Sequence, residues 1–193
     1  MGDPRKKPPK FLVERTRHHK PHRDLMEAAY YALEDAKEER ARGHYDQLTT
    51  ILLSALAVEA VANTFGEALI PDWDKFERKE TPKKLRLVSE ALGICYDARK
   101  EPWNSANWLR HTRNELAHGQ PELVNSRKFV AKNQIDTTSQ IRPKSGIEAE
   151  ISLKNSVRAY ETAEAILDTF IHAIPEKQQH RFRGDGWSHS VSL

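Results

Sequence analysis

Three residues close together carry the types that RNA chemistry needs. Arg113, Asn114 and His118 lie in the run Arg113-Asn114-Glu115-Leu116-Ala117-His118. An arginine is always charged and grips a phosphate with a planar fork. A histidine at the carbonyl end of a helix is a proton carrier near neutral pH. Together they suffice for RNA cleavage. The histidine takes the proton of the ribose 2′-hydroxyl or protonates the departing 5′-oxygen. The arginine stabilises the charge that builds on the pentacoordinate phosphorus. No metal is implied, because no histidine–carboxylate pattern in the chain has zinc spacing, and no cofactor is implied either. Geometry sets a condition. Five residues of helix subtend about 500°, a net separation of ~140°. Arg113 and His118 therefore meet on one ligand only if His118 lies in a loosened last turn, or if a second chain completes the site. The plainer alternative is that Arg113 pairs with an acid and His118 caps its helix.

Glu59 is the acid to consider. It lies on the row Leu48, Leu52, Ala55, Glu59, Ala62, Leu69, in which every other member is apolar. A carboxylate there must be paired or protonated. Arg113, Arg110 and Asn63 are its candidate partners, and its expected role is to hold the motif arginine. Arg110, one turn before Arg113, can widen a phosphate-binding face. Asn114 would orient the histidine or the phosphate, or be a surface residue without a role. His111 is expected to be exposed or to pack. Trp103 and Trp108 read as core or dimer contacts rather than base-stacking platforms, and Cys95 as a small buried hydrophobe.

The elements that must position these residues are helices. From about Asp24, Leu25, Ala28, Ala29, Ala32 and Leu33 recur at helical spacing, and Gly43 is read as the end of that helix. The segment 46–70 is apolar over most of its circumference, as a central bundle helix would be, and Pro71 stops it. Thr81-Pro82 reads as an N-cap and first turn, and Gly93 marks the far end. A fourth helix spans about 105–118, closed by Gly119 and Pro121. A last helix spans about 153–174. Between them, 122–149 reads as a long irregular loop in which Ile147, Ala149, Ile151 and Leu153 alternate as in a short strand or hairpin. The expected fold is all-α: an antiparallel bundle of four to five helices over 24–174, with an irregular insertion before the last helix.

At 193 residues the chain fits one domain, and 31% of it is charged. No continuous apolar run approaches the ~20 residues of a membrane span, and Met1-Gly2-Asp3-Pro4-Arg5-Lys6 has no apolar signal region. One cysteine rules out an internal disulfide. The expectation is a cytoplasmic protein without a membrane partner. The net charge of +3 is uneven: residues 1–23 carry +6 and the rest −3. That basic segment reads as a disordered, solvated tail, with nucleic-acid contact as the alternative. The stretch after Pro175 reads as a polar, poorly ordered tail.

The segment Trp108-Leu109-Arg110-His111-Thr112-Arg113-Asn114-Glu115-Leu116-Ala117-His118-Gly119 resembles the signature of the HEPN superfamily. That signature is an arginine, usually a polar residue after it, and a histidine after four to six intervening positions. The resemblance runs in order over about 24–174. It includes the apolar helix segment Ser54-Ala55-Leu56-Ala57-Val58-Glu59-Ala60-Val61-Ala62-Asn63 and Lys84-Leu85 opening the third helix. It implies a helical bundle that dimerises, with two motifs facing each other across a cleft, which would meet the geometric condition above. It also implies metal-independent endoribonuclease activity leaving a 2′,3′-cyclic phosphate, in a toxin–antitoxin or phage-defence setting with RNA and a cognate antitoxin or defence partner. The alternative it leaves open is a non-catalytic module for dimerisation or for binding a partner or nucleotide.

Overall fold

The computed structural model describes residues 12–38, 42–127, 129, 131–132, 142–183 and 186–192, the last stretch by its backbone alone. The elements, in chain order, are β1 (Leu12–His18), α1 (Pro21–Lys37), α2 (Gly43–Leu69) and a single 3-10 turn (Trp73–Lys75). Then follow α3 (Thr81–Ala91), α4 (Trp103–His118), α5 (Gly146–Glu150), α6 (Leu153–His172), α7 (Glu176–Arg183) and β2 (Gly186–Ser192).

The chain is mostly helical and is organised around α2, against which α1, α3, α4 and α6 all pack. The sequence of α2 explains this place. Ile51, Ala55, Val58, Ala62 and Phe65 recur at three- and four-residue intervals, and Ala57 and Val61 bury a second face. Leu48, Leu52 and Leu69, read from the sequence as the centre of the stripe, are only half-buried, so the true core face is rotated from them. By length and apolarity alone α2 would also suit a membrane span, contrary to the reading of short apolar runs. In this fold its apolar surface meets other helices. From α3, Leu85 and Val88 complete the core. Leu109 and Ala106 of α4 and Ala159, Ala163, Ile166 and Phe170 of α6 do the same.

Close approach near the end of α2 depends on Gly66. A Cβ there would lie 2.4 Å from the Trp73 ring, and Trp73 is itself buried. Gly66→Ala must displace the indole, and we expect a loss of about 1–3 kcal/mol, typical of overpacking. Denaturant melts of the variant check this value.

Several boundaries differ from the sequence reading, each for a local reason. The first helix starts at Pro21, because proline at the first helical position lacks only an N–H that would have no partner there. Gly43 opens the second helix instead of closing the first. Thr81 lies inside the first turn of α3, and the residue at the N-cap position is Glu80, whose side chain makes no capping hydrogen bond. The alternating segment after Gly146 is helix, not strand. Ser145 accepts from the Glu148 N–H and Glu148 reaches back to the Ser145 N–H, a capping box that overrides the period-two pattern. That bond from Ser145 also holds the Glu148 carboxyl below its ordinary range. The stretch 122–127 is irregular, while 128, 130 and 133–141 lie outside the described residues.

The two polar ends differ most. Residues 1–11 lie outside the described residues, but Leu12–His18 pairs antiparallel with Gly186–Ser192, from Leu12 opposite Ser192 to His18 opposite Gly186. The C-terminal stretch is structured through α7, because Phe182 is buried and stacks on Phe65 at 4.3 Å between ring centroids. One aromatic residue in a polar helix is enough to dock it on the core.

Candidate functional site

The motif helix α4 has one side on the core and the opposite side free. Trp103, Ser105, Ala106, Leu109 and Thr112 are buried, which turns Arg110 and Arg113 toward α2 and the start of α3. Trp103 lies in the core, and Trp108 is held in place by its surroundings. Trp108 Nε1 donates to Glu150 at 3.1 Å, and the Arg158 guanidinium lies 4.5 Å over its ring. Neither tryptophan is presented for base stacking. Cys95, expected to be buried, is exposed.

Glu59 is the hinge of the site. Its Oε1 accepts from Lys84 Nζ at 2.9 Å, and its Oε2 lies 3.6 Å from Arg113 Nη2. The Lys84 side chain is 1% exposed and that of Glu59 29%. A lysine buried to that degree requires a counter-charge, because removing it from water without one is expensive. Lys84 is the residue that sequence reading missed as a site component. Its position one residue before buried Leu85, on the packed face of α3, was the available signal. The carboxylate thus has two cationic partners on two different helices, and the expected pairing with Arg113 is present beside one that was not expected. Asn63 does not join them, and its Oδ1 is buried without a hydrogen-bond partner among the described residues.

Arg113 is half-buried and has a second contact. Its Nη1 donates to the Asn114 side-chain carbonyl at 2.8 Å. Within this chain Asn114 is thus placed against the arginine. Arg110 points along the same face, with Nη1 3.5 Å from Glu80 and Nη2 3.0 Å from His111 Nε2, while its Nε is buried without a hydrogen-bond partner among the described residues. Between Glu59, Arg110 and Arg113 lies a hollow of about 10 Å³. That is the room of one water and far too small for a ribose phosphate. A phosphate would have to meet these arginines at the outer surface.

His118 is exposed, and α4 remains α-helical through it. The loosened last turn that would bring it round to Arg113 is therefore absent. Among the described residues no hydrogen bond or ion pair holds the imidazole. Gly119 ends the helix closely, since a Cβ at that position would meet the Glu115 carbonyl oxygen at 2.8 Å. The single chain thus brings together Arg113, Asn114, Glu59 and Lys84, with Arg110 beside them, and leaves His118 apart. Comparison with protein-family models, curated proteins and solved structures yields no match.

Proposed function

We propose that the chain is a metal-independent endoribonuclease of the HEPN type, acting as a homodimer whose site is shared between two copies. The supporting observation is the anchored arginine. Arg113 is oriented by Asn114 and by a carboxylate that already has a second cation, so its positive charge is not spent on Glu59. Such an arginine is preorganised to stabilise charge on a reacting phosphate. Its histidine, free at the end of the same helix, can serve the arginine of a second copy. In that arrangement His118 of one chain moves the 2′-hydroxyl proton while Arg113 of the other neutralises the phosphorane. The toxin or defence setting, and an antitoxin-like partner, follow from the same family reading.

Mixing tests the shared site directly. Arg113→Ala and His118→Ala, each inactive alone, are expected to regain RNA cleavage when combined, because mixed dimers hold one intact site. Cleavage is followed in chelator, with the product ends read as 2′,3′-cyclic phosphate. A mixture no more active than its components would refute the shared site.

The second reading is a helical module without catalysis, and the free imidazole of His118 also agrees with it. In that case the variants alter melting temperature or partner binding and leave no cleavage to lose.

A further inference from the structure

A cleft far larger than the motif hollow opens elsewhere. It lies where the two ends of the chain cross α2 and encloses about 1040 Å³, ample for a small organic ligand. Glu59 is the one residue that lines both this cleft and the motif hollow.

We propose that this cleft binds an organic phosphate monoester carried on an apolar body. Two features of its wall select that chemistry. The floor is apolar, built from Leu25 of α1, Leu56 and Leu69 of α2, and Phe182 of α7. Leu56 is 37% exposed although it belongs to the central helix of the fold. The rim is basic and comes from both ends of the sequence: His18 and Lys20 from one, His180 and Arg181 from the other. Among the described residues, no ion pair or hydrogen bond occupies His180 or Arg181. His19 also lines the cleft and is engaged by Asp24 at 3.8 Å. The facing carboxylates are Glu59, already neutralised by Lys84, and Glu67.

Charge distribution supports an anion here in particular. The described parts of the two ends that line it, 12–20 and 176–183, each carry +2, whereas 21–175 carry −3. A guanidinium fork binds phosphate oxygens in pairs, and the neighbouring imidazoles add further donors. The proposal is independent of RNA cleavage at Arg113 and His118.

Calorimetric titration of the full chain with phenyl phosphate tests it, since that compound has both features. Saturable binding is expected, with inorganic phosphate and phenol each at least about tenfold weaker, because each lacks one half of the recognition. Arg181→Ala should weaken phenyl phosphate by about tenfold. Arg183→Ala removes the same charge from α7 at a position outside the cleft and should leave binding unchanged. Absence of saturation at millimolar concentrations, or equal weakening by the two arginine variants, would overturn the proposal.

Discussion

His118→Ala is expected to lower RNA cleavage by on the order of 10²–10⁴-fold, the usual contribution of a positioned proton carrier. The melting temperature should barely move, since the imidazole is exposed and is held by no protein group among the described residues. Arg113→Ala should cause a loss of similar order, now through missing charge stabilisation. It should cost little stability, because its contact with Glu59 is long, at 3.6 Å, and Lys84 still neutralises that carboxylate. Arg113→Lys separates charge from shape. It keeps the positive charge, loses the planar fork and the geometry of the bond to Asn114, and should recover only a small part of the rate. The measurement is initial cleavage of a labelled RNA in chelator, paired with a thermal melt of each variant. Wild-type cleavage by both alanine variants would exclude the catalytic reading. Large losses of melting temperature with no change in cleavage would favour the structural one.

The second large effect is on stability and centres on the pair Glu59–Lys84. Glu59→Leu leaves a lysine that is 1% exposed without its counter-ion. Losing one partner of a buried pair costs about 3–5 kcal/mol. The partial exposure of Glu59 puts the expected value near the lower end, about 3 kcal/mol. For a domain of this size that lowers the melting temperature by roughly 6–12 °C. Lys84→Met should cost less, because the remaining carboxylate is 29% exposed and still faces Arg113. The double variant Glu59→Leu/Lys84→Met should recover much of the loss, as neither buried charge then remains. The coupling, read from a double-mutant cycle, distinguishes this from two independent packing defects. Strict additivity of the two single changes would refute the pair as an energetic unit. Cleavage separates the roles further. Glu59→Leu also frees Arg113 on one side, so it should slow cleavage even at temperatures where the variant is folded.

Much of this molecule was legible in its residues. The helices over 81–91, 103–118 and 153–172 follow from apolar periodicity and from glycine or proline at their ends, all properties of a few adjacent residues. The misfit of Glu59 on an apolar row announced a buried ion pair, and Arg113 is one of its partners. The local pattern misled where two local signals competed, as at Gly146–Glu150, where a capping box prevailed over alternation.

Arg113 and His118 themselves show where local reading ends. Their types, order and spacing along one helix were determined by the sequence, together with the angle that keeps them apart. Only the tertiary structure decided that Lys84 lies beneath Glu59 and that the polar ends of the chain pair as a ribbon beside a basic cleft. The physical reason is the range of the interactions. Periodicity and capping act within a few residues and so are written along the chain. The Lys84–Glu59 bond spans 25 positions, and Leu12 pairs with a residue at the opposite end of the sequence. Contacts of that span exist only after packing has chosen which helix faces meet.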